Sequence, residues 1–428
     1  MIRKKKAIKS LSLLWAGSLI GSGSTFVIYT VLARKIGPES FGLFSSALAT
    51  ISIFSLLAGF GVSKVWLKLL GKEGWEGIRW IKPSLSFVVL TLIFITIAIF
   101  LLTLLELHDD TTRKLLIILI CYIYGYIGVE LVCSKLQLEE RYNQLAIWQL
   151  LPNLSRLLII LAFYYLLDIS LSVINVGYIY AIIGCVFALL GSYQLNKMSM
   201  GKFALKGHEQ TQRKIVETPK IKDVLIEAWP FGLANLFAFI YVQSDIIMVK
   251  YISGDTETGY YNVSFVILSA ILIIPTILFG KFLMPKYHRW ANHDTDRFYR
   301  VYKQSNFIML VTGSLIMIIV LLSSQFCIPI IFGREYIPSI VMMNILSITL
   351  PISFLAYSVG ATLVTKEHMK LKVKLMGIIA FLNIVLNVFL IPNYGAKGAA
   401  ISTVISNVLL LGLYYKAVNK QVFAQQKK

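Results

Sequence analysis

Apolar residues in this chain come in long unbroken runs with the polar residues gathered between them. The pattern has neither the two-residue period of a half-buried strand nor the narrow stripe of a surface helix. About twelve runs of roughly 20 residues can be marked off, each long enough to cross a ~30 Å hydrocarbon core as a helix. They are 11–33, 41–63, 84–105, 115–133, 145–167, 172–193, 224–249, 263–284, 307–331, 340–365, 373–391 and 399–417. The pattern predicts an all-α integral membrane protein of two six-helix bundles, 1–193 and 224–428, joined by a basic linker over 194–223.

Lysine and arginine then orient the spans. Arg3, Lys4, Lys5, Lys6 and Lys9 precede the first run, and Lys64, Lys68, Lys72, Arg79 and Lys82 follow the second. The same side collects Lys197 to Lys222, Lys286 to Lys303 and Lys366 to Lys374, whereas the opposite loops hold only Arg34, Lys35, Arg113, Lys114, Lys250, Arg334 and Lys397. This bias predicts an even number of spans with both termini cytoplasmic. The opposite loops are short, which leaves no external domain.

Composition agrees, with 57% hydrophobic and 14% charged residues and a mean hydropathy of +0.74, far from the quarter or so charged that is usual for soluble domains. The net charge of +20 is accounted for by orientation charge facing anionic lipids, and its scatter over loops argues against nucleic acid as a partner. Leu11 to Ala33 is long for a signal-peptide core and is expected to be retained. Cys121, Cys133, Cys185 and Cys327 fall inside apolar runs without paired spacing, so neither disulfides nor a metal site is expected.

The halves resemble each other. Ile36-Gly37-Pro38-Glu39-Ser40-Phe41-Gly42-Leu43-Phe44 follows the first run, and Ile252-Ser253-Gly254-Asp255-Thr256-Glu257-Thr258-Gly259-Tyr260-Tyr261 the seventh. With one residue inserted, both give an isoleucine, a glycine turn with an acid, then glycine and an aromatic. Both runs have the same orientation, so the expected repeat is parallel, with a pseudo-two-fold along the membrane normal. Duplicated bundles of this kind are the architecture of alternating-access transporters.

On these segments the chain resembles the polysaccharide (O-antigen and capsule repeat) flippases of the multidrug/oligosaccharidyl-lipid/polysaccharide superfamily, whose architecture is MATE-like. The matches are Leu32 to Phe44, Leu57-Ala58-Gly59-Phe60-Gly61-Val62, Asp245-Ile246-Ile247-Met248-Val249 to Tyr261, Phe332-Gly333-Arg334-Glu335-Tyr336-Ile337-Pro338 and Leu390 to Ala400. The resemblance implies movement of undecaprenyl-pyrophosphate-linked oligosaccharide from the inner to the outer leaflet of a bacterial cytoplasmic membrane. It also implies a polysaccharide polymerase and a chain-length regulator as partners. Related lipid II flippases carry about fourteen spans, so room for about twelve argues against that branch.

Polar residues inside the runs are the candidate site. Gln149, Asn153 and Arg156 share one helix face at i, i+4 and i+7. Arg156 lies midway along its run, too deep for easy snorkelling, and an arginine there must be paired or wetted. Its planar fork suits a pyrophosphate; a structural clamp between helices is the other reading. Glu130, above Tyr122 and Tyr126, meets interfacial water or couples an ion. Glu227, Ala234, Ala238, Tyr241 and Asp245 share one face of the seventh run, suiting a lined cavity or tight packing. Glu130, Asp245 and Glu227 are the candidates for carrying a coupling H+ or Na+. Lys281 is read as snorkelling, and Asn383 and Asn387 as interhelical glue. Gly17, Gly21 and Gly23 in the first run, with Pro230 and Gly232 in the seventh, mark bending elements or close helix packing.

Three functions compete on these residues. A lipid-linked sugar flippase needs cations in its cavity, a drug antiporter of the same superfamily needs acids and aromatics, and a membrane polymerase or ligase needs a large external loop that is absent. No Gly-x-x-x-x-Gly-Lys loop occurs, so no ATP hydrolysis and no enzyme is expected, and no cofactor beyond a coupling ion. The orientation is testable: cysteines at Thr211 and Asn292 should label only from the cytoplasm, and those at Asp110 and Thr256 only from outside. External labelling of Thr211 would overturn the two-bundle scheme.

Overall fold

The computed structural model describes residues 2–105, 109–165, 171–206, 217–364 and 369–423. Thr211, Arg213, Lys214 and Lys366 fall outside these, as do the side chains of residues 2–15, of Lys281 and of Asn292. Fifteen α-helices follow one another: α1 (Ile2–Gly59), α2 (Val62–Glu73), α3 (Ile81–Leu104), α4 (Asp110–Ile118), α5 (Ile120–Leu138), α6 (Tyr142–Tyr165), α7 (Val173–Ser199), α8 (Ile221–Ser253), α9 (Asp255–Ile277), α10 (Met284–His293), α11 (Thr295–Ile331), α12 (Ser339–Ser347), α13 (Thr349–Thr362), α14 (Met369–Tyr394) and α15 (Ala396–Ala417). Short 3-10 or π turns cover Gly74–Trp80, Leu278–Leu283, Arg334–Tyr336 and Val418–Val422. No strand occurs among the described residues.

Among the described residues, nine stretches are long and apolar enough to cross a membrane, or ten when the bent pair α12 and α13 is taken as one. The first, Ala16–Leu104, holds the first three runs read from the sequence, because the chain turns inside it. At Gly37 the backbone leaves the helix (φ 77°, ψ 170°), a conformation that costs glycine nothing. Pro38 then starts the next helix with no amide to satisfy. Tyr29 and Phe41, on either side of this turn, pack edge-to-face with ring centroids 6.0 Å apart. Phe94, Leu189, Phe307, Leu322 and Phe381 are about 70% exposed, as lipid-facing side chains are. These helices together form the expected all-α integral membrane fold.

The two repeat turns meet each other. Gly254 (φ 92°, ψ 173°) repeats the backbone of Gly37, and each is followed five residues later by a buried glycine, Gly42 and Gly259. The inserted residue is therefore Ser253, ahead of the turn. A Cβ at Gly42 would run into the Asp255 carbonyl and lie 2.7 Å from the Gly259 nitrogen, and one at Gly259 would strike the Pro38 carbonyl. Asn262 also donates to Ser45 Oγ at 2.6 Å.

The chain divides into two compact units, Met1–Ile28 with Ala47–Leu236 and Tyr29–Ser46 with Phe237–Lys428. The division does not fall at the linker. The Phe41 turn packs on its repeat counterpart and so belongs with the second unit. The described ends of the linker are held within the first unit, where Phe203 packs on Trp75 at 5.7 Å and Arg79 Nη1 donates to the Glu217 carbonyl at 3.3 Å.

Gly42→Ala and Gly259→Ala should each lower stability by about 1–3 kcal/mol through overpacking against backbone. Gly412→Ala, where nothing lies within 4 Å, should leave it unchanged or raise it by roughly 0.5–1 kcal/mol. Thermal unfolding of the purified variants in detergent checks the contrast.

Candidate functional site

In the first unit, glycine sets the site. A Cβ on Gly125 would fall 2.6 Å from the Gly184 Cα, and one on Gly184 2.9 Å from the Tyr122 Cα, so α5 and α7 touch backbone to backbone. That contact brings the rings of Tyr122 and Tyr180 to 6.0 Å. The Arg156 guanidinium of α6 caps both, its Cζ 5.0 Å from the Tyr122 centroid and 4.6 Å from the Tyr180 centroid. A cation over two desolvated ring faces is held by their quadrupoles. Arg156 Nη1 donates to Asn153 Oδ1 at 3.0 Å, while the buried Nε has no partner. The residue is 9% exposed, and no carboxylate pairs with it among the described residues.

Arg156 and Asn153 thus come together as the sequence spacing expects. Gln149 does not join them; it is exposed and bonds the Cys133 thiol of α5. The tyrosines were missed as partners of Arg156, since their approach depends on how α5 and α7 cross. On α1, Gly17 faces Ala146 at 3.4 Å, Gly21 faces Asn153 Nδ2 at 4.0 Å, and Gly23 faces open space. The first two lie in ordinary van der Waals contact with the site helix α6.

The second unit buries a carboxylate. Asp245 of α8 is 2% exposed and accepts from Tyr261 Oη at 2.7 Å, Asn387 Nδ2 at 2.6 Å and Thr403 Oγ1. Ser244 and Asn387 donate to Asn383 Oδ1 at 3.1 and 3.2 Å, and Asn383 donates to Ser402 Oγ at 3.2 Å. All donors are neutral. Asn387 Oδ1 is buried with no partner, so the amide that donates to the carboxylate keeps an unsatisfied oxygen beside it. Hard oxygen donors of this kind suit a small monovalent cation or a proton on the carboxylate. Asn383 and Asn387 do join helices, but around an acid. The i, i+4 pair Thr403 and Asn407 was the available signal on α15.

The other two acids stand apart from both clusters. Glu130 is half-buried and accepts from Ser63 Oγ at 2.5 Å, beside the first turn of α2. Glu227 of α8 pairs with Lys68 of α2 at 2.7 Å. Gly232 abuts the Phe60 ring, 2.9 Å from its own Cβ position.

With this geometry in place, comparison with known proteins is decisive for the family. A family model described as polysaccharide biosynthesis protein matches residues 7–290. The chain belongs to that family. It is 21% identical over 412 residues to the capsular polysaccharide biosynthesis protein CapF of Staphylococcus aureus, covering 95% of this chain and 98% of that one. Among solved structures it resembles the lipid II flippase MurJ in an inward closed conformation, at a TM-score of 0.73 and 15% identity over 95% of this chain and 87% of MurJ. An inward-facing multidrug resistance MATE family transporter of the MOP superfamily gives 0.69 and 15% over 99% of each chain. These structural likenesses establish the MATE-like fold, and the family match bears out the resemblance read from the turn motifs.

Asp245→Asn should keep the protein in the membrane, since the amide oxygen still accepts from Tyr261 and Thr403 and the new NH2 can donate to Asn387 Oδ1 once the Asn387 amide turns over. If Asp245 carries the coupling ion, export in vesicles should then no longer respond to an imposed Na+ or pH gradient. An unchanged gradient response would remove Asp245 from coupling.

Proposed function

We propose that the protein is a flippase that moves an undecaprenyl-pyrophosphate-linked oligosaccharide repeat from the inner to the outer leaflet of a bacterial cytoplasmic membrane, for surface polysaccharide. The family match and the likeness to MurJ support this reading, and one observation in the site carries it. Arg156 is buried in a membrane span with one edge of its guanidinium spent on Asn153 and the rings, and with Nε unpartnered. An uncompensated cation at that depth is costly. Its free edge offers the paired donors that a phosphate takes bidentately.

Flipping leaves the polyprenyl tail in lipid while the sugar and pyrophosphate cross, so the protein must strip water from the phosphates reversibly. Arg156 supplies that charge, and Tyr122 and Tyr180 hold its plane. Asp245 and Asn387 supply the site for a coupling H+ or Na+. A drug antiporter carrying organic cations would place acids where this chain places Arg156. Both termini lie in the cytoplasm in this reading, with the basic loops on anionic lipids. The polysaccharide polymerase and chain-length regulator receive the exported repeat.

Arg156→Ala should lower export by roughly 10- to 100-fold, the worth of a charged hydrogen-bonded contact, at normal protein level. Arg156→Lys should retain part of it. The measurement is complementation of a flippase deletion, read as surface polysaccharide and as lipid-linked repeat trapped inside. Full complementation by a stably folded Arg156→Ala would sink the assignment. Loss of thermal stability in both variants would instead make the arginine structural.

A further inference from the structure

The second transmembrane run does not end as an ordinary helix. Phe60 (φ 33°) and Gly61 (φ 80°) are both left-handed, and α2 restarts at Val62. A bulky residue in that region persists only where its surroundings hold it. One side is held by α5: Glu130 accepts from Ser63 Oγ at 2.5 Å, and Ser134 Oγ donates to the Ser63 carbonyl at 2.8 Å. The other side is held by α8. A Cβ on Gly61 would lie 2.8 Å from the Gly232 nitrogen, and the Phe60 and Trp229 rings are 5.8 Å apart. Further along, Lys68 Nζ meets Glu227 Oε2 at 2.7 Å. From the Gly61–Gly232 contact to the Lys68–Glu227 pair the residue number rises on one segment as it falls on α8, so the two run antiparallel there.

The same stretch of α8 changes company. Gly232 packs on the Phe60 ring, whereas Phe237 packs on Gly377 of α14, 3.1 Å from its Cβ position, and the compact units divide between Leu236 and Phe237. Pro230, inside this stretch, removes one helical hydrogen bond and weakens the helix there. Asp245 lies on the same helix, roughly 27 Å beyond Glu227 at 1.5 Å per residue.

We propose that α2 and the first turns of α8 form a latch that opens and closes in each transport cycle, with Phe60–Gly61 as its pivot and Lys68–Glu227 as its clasp. The proposal rests on the flippase reading for the cycle it serves. Its strength suits a moving part. The seat is small: the Gly61–Gly232 contact and one half-buried ring, Phe60, against an exposed Trp229. The clasp is an ion pair whose side chains are 50% and 31% exposed, and such pairs shift an equilibrium only modestly. Because α8 also carries Asp245, an event at that carboxylate and the state of the latch act on one helix.

The test places spin labels at Lys72 and Lys222, both exposed and next in register beyond the clasp, in the full-length protein in lipid. The unmodified pair should give a dominant short distance. Lys68→Glu should raise the long-distance fraction by about fivefold or more, since reversal adds repulsion to the lost pair. Lys68→Glu combined with Glu227→Lys should restore both the short distance and export. Identical distance distributions in all three proteins, or restored distances without restored export, would overturn the latch. Shifted and restored distances where the unmodified protein itself moves no lipid-linked sugar would uphold the moving latch and reject the flippase reading.

Discussion

A hydrocarbon core offers no hydrogen-bond partner to a backbone amide, and everything else in this protein accommodates that constraint. Each crossing must be helical, and each reversal must be made where the backbone can be satisfied by other means. The turns after the first, seventh, ninth and eleventh runs use glycines at positive φ: Gly37, Gly254, Gly333 and Gly395. Two of these turns then become a packing element, because Gly42 and Gly259 let backbone meet backbone. The repeat is thus a contact as well as a relic of duplication.

The same constraint separates the two buried charges. Asp245 has neutral donors on both oxygens, drawn from α9, α14 and α15, and the spare acceptor on Asn387 is the only feature there that invites a ligand. Arg156 has its charge spread over two ring faces and one amide, with part of its donor fork unspent. A buried donor or acceptor left without a partner carries a desolvation cost that a paired one does not.

Helix α8 is shared between the two units. Its first half packs on the Phe60–Gly61 break and its second half carries Asp245. Of Pro230 and Gly232, read from the sequence as bending elements or close packing, Gly232 packs on the Phe60 ring and Pro230 is exposed. Gly17 and Gly21 are in ordinary van der Waals contact with α6, and such a glycine spacing serves bending and contact alike.

The sequence alone determined the membrane class, the positions of the runs, the turn glycines and the family, because length, hydropathy and backbone permissiveness are properties of local sequence. It also placed Arg156 and Asn153 on one face, since i, i+3 neighbours are fixed by the helix itself. The rest was decided by how helices cross. Tyr122 and Tyr180 meet Arg156 only because Gly125 and Gly184 let α5 and α7 touch. Lys68 finds Glu227, and Tyr261, Asn387 and Thr403 find Asp245, across gaps of 16 to 159 residues. Gln149 shares the expected face, yet its partner is Cys133 on the neighbouring helix. Partners brought together by interhelical packing leave no period in the sequence, and that packing is what decides which buried charges are satisfied.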